Sequence, residues 1–205
     1  MFISIEGIEG AGKTTQVVLV AQKLRAAGVE VFTTFEPGGT EIGRRIREIL
    51  LDKSLQEMSP LTELLLYNAA RAQHLTEVIL QALDRPAIVI TDRFTDSTLA
   101  YQCYGRGIDS KLIEEIDQIA TGGLRPDLTV LLDLPPSVGL GRNRNANKTD
   151  RFEEEPVAFH ERVRAGFLEL SKMEPARFKI IDASADPAVV TGEIVAAVKE
   201  RLSCH

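Results

Sequence analysis

Near its amino terminus the chain has the sequence Gly7-Ile8-Glu9-Gly10-Ala11-Gly12-Lys13-Thr14-Thr15. This segment matches the phosphate-loop pattern G-x-x-x-x-G-K-[ST] at every fixed position. Residues 2–5 before it have the composition of a short buried strand, and residues 15–26 after it have the pattern of a helix. In that setting the loop N–H groups point at phosphate oxygens, at the positive end of the helix. The segment predicts a nucleoside triphosphate site, and an ordinary glycine-rich turn is the less favoured alternative.

The pattern assigns chemistry to individual side chains. Lys13 is predicted to reach the β- and γ-phosphates, and the Thr14 hydroxyl is predicted to hold Mg²⁺. Asp92 directly follows the apolar run 87–91, and an Asp after a strand is the usual partner of phosphate-loop Mg²⁺. The adjacent Arg93 suits a second phosphate, because a guanidinium grips phosphate oxygens with two N–H groups. The alternative is a structural ion pair at a strand end, which the phosphate loop makes the weaker interpretation.

Composition limits the class of protein. The chain has 205 residues, 44% of them apolar and 26% charged, which predicts one domain, residues 1–205, with a proper core. No segment resembles a membrane span, and the immediate first strand predicts that no targeting segment precedes it. Two cysteines without metal-ligand spacing, Cys103 and Cys204, favour a reducing cytoplasm. A net charge of -6 argues against a general nucleic-acid binder, so we expect neither a nucleic acid nor a membrane as partner.

Strand-like and helix-like segments alternate along the chain. Strands are predicted at 2–5, 29–35, 87–91, 128–134 and 178–181. Helices are predicted at 15–26, 41–51, 60–83, 110–120, 136–143, 156–172 and 187–202. Because the strands are apolar throughout, the pattern predicts an α/β fold with a five-stranded parallel sheet flanked by helices on both faces. Ligands of such a sheet gather beyond the carboxyl ends of its strands.

Two further segments have competing interpretations. Tyr67 and Arg71 are four residues apart and share a helix face, where they could stack on a base and bond to its edge. On spacing alone, an ordinary amphipathic helix is favoured there. The segment 142–151 carries four cations, Arg142, Arg144, Lys148 and Arg151. It is either a solvated helix end or a mobile lid that closes cations over a transferring phosphoryl group.

Seven motifs occur in order over almost the whole chain. They are I-E-G-I-E-G-A-G-K-T-T, E-P-G-G-T, A-A-R-A-Q-H, D-R-F-T-D-S-T-L-A-Y-Q, G-R-G-I, R-P-D-L-T and D-R-F-E-E-E. In this combination the chain resembles the thymidylate kinase family, within the P-loop nucleoside monophosphate kinases. The resemblance implies a P-loop NTPase fold and Mg²⁺-dependent phosphoryl transfer from ATP to dTMP, giving dTDP and ADP in dTTP biosynthesis. It also implies a homodimer, with helices 41–51 and 60–83 as candidate contact surfaces.

The resemblance implies two binding sites in one cleft. The ATP site would comprise Gly7, Glu9, Gly10, Ala11, Gly12, Lys13, Thr14 and Thr15. The dTMP site would comprise Glu9, Glu36, Pro37, Arg47, Tyr67, Arg71, Arg93, Ser97, Thr98, Tyr101 and Gln102. The metal would be held by Thr14 and Asp92. The catalytic groups would be Lys13, Arg93 and the lid cations Arg142, Arg144, Lys148 and Arg151.

Within the implied dTMP site, five side chains have distinct roles. Glu9 resembles the acidic residue that the family directs towards the sugar and phosphate of the acceptor. Tyr67 matches the aromatic residue that stacks on the base, and Arg71 matches the residue that bonds the thymine edge. Arg93 would clamp the acceptor phosphate. Tyr101 matches the position that helps to exclude a 2′-hydroxyl group.

The chain also departs from the family pattern. The variable loop positions Ile8, Glu9 and Ala11 carry no cation, which resembles the bacterial subtype whose lid supplies the catalytic charge. Phe35 stands where bacterial members commonly have Arg. Ala146 stands where related sequences often have a lid Arg, which leaves Lys148 and Arg144 as candidates for that task.

Two other functions compete with this interpretation. One is a P-loop kinase for a different small acceptor, such as a deoxynucleoside or another monophosphate. The other is a nucleotide switch or an ATP-binding regulatory protein that acts through a partner. The second is disfavoured because a basic lid suits phosphoryl transfer rather than switching.

Overall fold

The computed structural model describes residues 1–145 and 150–203. Its five strands are β1 (Phe2–Glu6), β2 (Val31–Phe35), β3 (Ile88–Asp92), β4 (Leu128–Asp133) and β5 (Phe178–Asp182). They form one sheet in the order β2-β3-β1-β4-β5, and every pairing is parallel. The predicted α/β fold with a five-stranded parallel sheet is confirmed.

Helices connect the strands. They are α1 (Lys13–Ala26), α2 (Glu41–Leu51), α3 (Pro60–His74), α4 (Leu80–Leu83), α5 (Thr95–Thr98), α6 (Ser110–Thr121), α7 (Pro136–Asn145), α8 (Val157–Met173) and α9 (Pro187–Ser203). A π-helical segment, Leu75–Ile79, joins α3 to α4, so the predicted helix 60–83 is continuous but changes its winding. A second π-helical segment, Leu99–Gly105, extends α5. The sequence analysis missed the helix formed by α5 and this segment, because its polar start continues a strand exit.

Alternate residues of the central strands enter different apolar clusters. Phe2 of β1 is paired in register with Val89 of β3, and both belong to a small cluster with Phe94 and Ile79. The next residue, Ile3, belongs to the main cluster beneath α1, α8 and α9. Successive strand residues point to opposite faces, so helices cover both sides of the sheet.

A helix that crosses a bilayer needs about 20 consecutive, mostly apolar residues. Among residues 1–145 and 150–203, no helix is both long and apolar enough to cross a membrane.

Candidate active site

A cleft of about 1020 Å³ lies at the carboxyl ends of β1, β2 and β3. The cleft is bounded by the phosphate loop, by the segments that follow β2 and β3, and by the start of the 142–151 segment. Pockets for single small molecules usually measure about 300–1,000 Å³. The volume of the cleft is therefore at the upper end of that range.

The phosphate loop presents free backbone donors to the cleft. Gly10 and Gly12 have φ angles of 71° and 91°, in the left-handed region that favours glycine. Gly12 precedes α1 without any side-chain cap, whereas the hydroxyls of Thr40 and Ser59 cap α2 and α3. Uncapped N–H groups at a helix start bind anions. The local geometry is that of a phosphate site.

Lys13 is buried at the mouth of this loop. Its Nζ donates to the backbone oxygens of Gly7 and Ile8, at 3.0 and 2.8 Å. Burial, together with the nearby charge of Arg93, lowers the pKa of Lys13 from 10.5 to about 8. Among the described residues, the hydrogen-bond acceptors of the ammonium group are thus two neutral carbonyls, which phosphate oxygens could replace.

Thr14 and Asp92 supply neighbouring oxygen ligands. The Thr14 hydroxyl donates to Asp92 Oδ2 at 2.6 Å, which joins the start of α1 to the end of β3. Both residues line the cleft. A hydroxyl and a carboxylate are hard oxygen donors of the kind that Mg²⁺ prefers, so this predicted pair fits the ion.

Arg93 is held in an unusual backbone conformation. Its φ of 73° places a non-glycine residue in the left-handed region, which is uncommon and typical of functional sites. The guanidinium donates to the Gly7 carbonyl (3.0 Å), to Ser97 (2.9 Å), to Glu9 (3.2 Å) and to the Tyr101 hydroxyl (3.1 Å). Four acceptors fix its direction inside the cleft, as phosphate recognition requires.

Glu9 lies at the centre of the same network. Tyr101 donates to its Oε1 at 2.5 Å, and His160 Nδ1 lies 3.2 Å from its Oε2. Burial acts to raise the pKa of Glu9, but the His160 hydrogen bond and the charges of Arg93 and Lys13 outweigh it and lower the pKa to about 2. Glu9 is therefore a carboxylate over the whole working pH range.

Arg71 is buried on the other side of the cleft. Its Nε donates to Glu36, its Nη1 donates to Thr98 and Asp117, and its Nη2 donates to the Phe94 carbonyl. A guanidinium has five N–H donors. Within the contacts of residues 1–145 and 150–203, one Nη2 hydrogen is left for a ligand, which suits the edge of a base.

Nearly all of the residues predicted to bind dTMP or ATP line the cleft. Every predicted dTMP residue lines it, as does every predicted ATP residue except Gly7. Gly7 acts through its carbonyl, which accepts from both Lys13 and Arg93. Gln102 lies in the π-helical segment and is oriented by Glu63, to which its amide donates at 2.9 Å. Phe35 is 44% exposed and forms part of the rim.

The predicted lid cations that the structure describes lie in three different environments. Arg142 lines the cleft and donates to the backbone oxygens of Ala183 and Gly10. Arg144 is exposed and is not part of the cleft wall. Arg151 is buried, and it donates to Glu63 and to the Leu50 carbonyl rather than lining the cleft.

Part of the segment 142–151 lies outside the described residues. Lys148 lies outside the described residues, and so do Ala146 and Asn147. Of the lid cations that the structure describes, Arg142 is the one that lines the cleft. The assignment of Arg144, Lys148 and Arg151 to catalysis remains a prediction.

Two contributors to the site were missed by the sequence analysis. Gly139 of α7 approaches Gly10 so closely that a Cβ on Gly10 would lie 2.1 Å from the Gly139 carbonyl oxygen. Glu6, at the end of β1, accepts from Ser97 and from the Phe94 backbone, which positions the segment after β3. Burial, with the nearby charge of Asp96, raises the pKa of Glu6 to about 8. Only the acidic residue at a strand end was a signal in the sequence.

Fold and site together define a class of protein. A phosphate loop, an adjacent oxygen pair for a metal and a second cleft half rich in arginine characterise P-loop enzymes that transfer a phosphoryl group between two small ligands.

Comparison with known proteins narrows the class. The sequence profile of the family described as Thymidylate kinase matches residues 5–194. The chain is 54% identical over 203 residues to a thymidylate kinase of Geobacter sulfurreducens, covering 96% of this chain and 95% of that one. It is 50% identical over 209 residues to a thymidylate kinase of Trichlorobacter lovleyi, covering 99% of each. The crystal structure of thymidylate kinase from Ehrlichia chaffeensis matches with a TM-score of 0.78 at 34% identity, covering 97% of this chain and 98% of that one. The chain belongs to the thymidylate kinase family.

Proposed function

We propose that the cleft carries out the reaction of this family, the transfer of a phosphoryl group from ATP to dTMP, giving ADP and dTDP for dTTP synthesis. The observation that carries the proposal is the pairing of a phosphate-loop half and an arginine-containing half in one cleft. The phosphate loop, with Lys13, forms the donor half. Arg71, Tyr67 and Gln102 form a base-sized acceptor half, and Arg93 lies between the two.

The chemistry needs positioning and charge neutralisation more than a general base. A phosphate oxygen of dTMP attacks the γ-phosphorus in line, while the bond from that phosphorus to the bridging oxygen of ADP breaks. The nucleophile is already an anion, so no proton has to be removed first. Lys13 would neutralise charge on the donor, and Arg93 would hold the acceptor phosphate. Arg142 is the described lid residue placed to add a third cation.

Mg²⁺ fits the oxygen pair at the edge of the phosphate loop. Thr14 and Asp92 would hold it, directly or through water, together with the nucleotide. When bound, the ion neutralises charge on the β- and γ-phosphates. Thr14 and Asp92 themselves keep the start of α1 and the end of β3 in contact.

A coupled ADP-release assay tests the proposal directly. Purified protein is given ATP with dTMP, dUMP, dCMP, dGMP, AMP, UMP or thymidine, each with Mg²⁺ and after its removal by a chelator. We expect strong preference for dTMP and no turnover without the metal. Activity with a different monophosphate would keep the phosphate chemistry but discard the thymine roles of Arg71 and Gln102. ADP release that needs a macromolecule instead of an acceptor would favour a regulatory nucleotide binder.

The KM for ATP is expected to rise above pH 8. The pKa of Lys13, lowered to about 8 by burial and by Arg93, leaves a neutral amine above that pH. Because phosphates bind the ammonium form, ATP binding must then take up a proton, and KM rises towards about tenfold per pH unit. KM measured between about pH 7 and pH 9.5 checks this, with proton uptake followed by calorimetry in two buffers. A constant KM without proton uptake would contradict it.

A homodimer is proposed as the assembly of this chain. Helices α2 and α3 pack against each other, and both carry exposed apolar side chains at helix-face spacing. Ile42 and Ile49 of α2 are 52% and 43% exposed, and Leu61 and Leu65 of α3 are each 49% exposed. Exposed apolar patches of this kind mark protein–protein contacts, and α2 and α3 are the helices predicted for that role. A cytoplasmic location likewise stays a prediction from composition.

Light scattering after gel filtration should give twice the chain mass of 22.5 kDa. Leu65→Glu places a charge in the proposed interface and is expected to give the mass of one chain. Val189→Glu, on the 52%-exposed side chain of α9, is the matched control and should leave the mass unchanged. A wild-type protein with the mass of a single chain would contradict the dimer.

A further inference from the structure

His160 is a buried polar residue beside the cleft. It belongs to α8, its side chain is 0% exposed, and it is not part of the cleft wall. Its Nδ1 lies 3.2 Å from Glu9 Oε2. Its Nε2 has no hydrogen-bond partner among the residues that the structure describes.

These contacts determine where the imidazole proton lies. A carboxylate only accepts hydrogen bonds, so Nδ1 must be the donor to Glu9. In the neutral ring Nε2 then carries an unpaired lone pair, and in the charged ring it would carry an unpaired N–H. In both forms Nδ1 carries the proton that Glu9 accepts. The ring also packs edge-on against Phe159, with 5.5 Å between centroids.

A side chain that only occupied space at position 160 would not need a polar atom. A buried nitrogen without a partner costs free energy that an apolar ring would not cost. The hydrogen bond from Nδ1 to Glu9 compensates for the free-energy cost of the unpartnered Nε2. The position is thus built to make that bond.

Glu9 is held from two sides. Arg93 and Tyr101, which follow β3, bind its Oε1, and His160 of α8 binds its Oε2. Without His160 the carboxylate would be tethered through one oxygen and could rotate. Because Glu9 in turn accepts from Arg93, such rotation would also loosen the guanidinium proposed to hold the acceptor phosphate.

We propose that His160 is a positioning residue for the dTMP site, which it serves by fixing the orientation of the Glu9 carboxylate. The inference rests on the proposed function, specifically on the role of Glu9 beside the acceptor. It assigns α8, the helix after the lid segment, a share in acceptor binding without any contact to the substrate.

Kinetics of five variants test the proposal. His160→Leu removes the donor at similar volume and is expected to raise the KM for dTMP about tenfold, with the KM for ATP within about twofold of wild type. His160→Asn keeps an N–H near the position of Nδ1 and should recover most of that loss. In a Glu9→Gln background, His160→Leu should add less than about twofold, because its effect passes through Glu9. Ser171→Ala, a buried position of α8 that bonds only the Leu168 backbone, is the structural control.

A kinetic effect of different form would overturn the proposal. Examples are equal rises in both KM values, or effects of His160→Leu that add fully to those of Glu9→Gln. A His160→Leu protein that behaves like the Ser171→Ala control would do the same.

Nitrogen NMR of the wild-type protein tests the proposal without a variant in the reaction. The chain has 3 histidines, so the His160 signals can be assigned by their loss in His160→Asn. The expected spectrum shows a protonated Nδ1, and an unprotonated Nδ1 would overturn the inference even if His160→Leu failed to fold. Failure of the proposed function is a separate result, since wild type would then release no dTMP-dependent ADP.

Discussion

Lys13→Ala is expected to lower kcat about a thousandfold while the protein stays folded. The Lys13 ammonium is the cation inside the phosphate loop, and it is placed to meet charge that develops on the transferring phosphoryl group. Among the described residues it donates hydrogen bonds to two backbone oxygens, those of Gly7 and Ile8. The substitution removes a buried charge together with its two hydrogen bonds, so the free energy of unfolding should change little.

The measurement combines kcat with a urea unfolding curve of the same preparation. Lys23→Ala, at an exposed position of the same helix, is the matched control and should keep wild-type kcat. A folded Lys13→Ala protein that kept about a tenth of wild-type kcat would remove Lys13 from its assigned role.

Arg71→Ala is expected to lower the free energy of unfolding by about 3–5 kcal/mol. Arg71 is 2% exposed and forms ion pairs with Glu36 and Asp117, whose side chains are 5% and 10% exposed. Truncation leaves both carboxylates buried without their shared cation. At temperatures where the variant is folded, the KM for dTMP should rise more than the KM for ATP, because Arg71 lines the part of the cleft proposed to bind the base.

The loss of stability in this variant should depend on pH. Burial raises the pKa of Asp117 from 3.8 to about 6, although Arg71 acts to lower it. A raised pKa contributes stability that is present at low pH and is lost as the pH rises through the folded value. Without Arg71 the pKa of Asp117 rises further and that loss extends to higher pH. The stability difference from wild type should therefore be smaller at pH 5 than at pH 8.

Urea unfolding at both pH values checks this. Arg125→Ala is the matched control, since Arg125 is 63% exposed and pairs with Glu174 at the surface. It should change stability by less than about 1 kcal/mol at either pH. A stability difference for Arg71→Ala that did not change with pH would contradict the role of Asp117. Equal rises in the two KM values would remove Arg71 from the base side of the cleft.

Much of the fold was predictable because its signals are local. Apolar runs bounded by turn residues give the parallel strands, and strand ends are correct within a few residues. The helix formed by α5 and Leu99–Gly105 escaped prediction, because Asp92 and Arg93 mark a strand exit and the helix begins almost at once. Its π-helical winding, which brings Tyr101 and Gln102 to the cleft, has no sequence signature.

Site residues that directly follow a strand could be predicted from the sequence. Site residues from elements distant in the sequence could not. The phosphate loop, Asp92 and Arg93 are strand exits, so the topology of a parallel sheet brings them together. The left-handed backbone of Arg93 is a result of tertiary contacts, and the spacing of motifs gives no sign of it. His160 reaches Glu9 only because α8 packs against the π-helical segment. Arg151 is a cation in a basic segment, and only the fold reveals that Glu63 binds it.

The close approach of Gly10 and Gly139 has a consequence for how this sequence can change. A Cβ at Gly139 would lie 2.2 Å from the Glu9 carbonyl oxygen, and a Cβ at Gly10 would lie 2.1 Å from that of Gly139. Either side chain would push α7 away from the loop that it touches. Substitution of Gly139 by any residue with a side chain is therefore excluded for the same steric reason as at Gly10, although Gly139 belongs to no nucleotide-binding motif. Variation in related chains would show the two positions constrained together, as a single joint between distant parts of the chain.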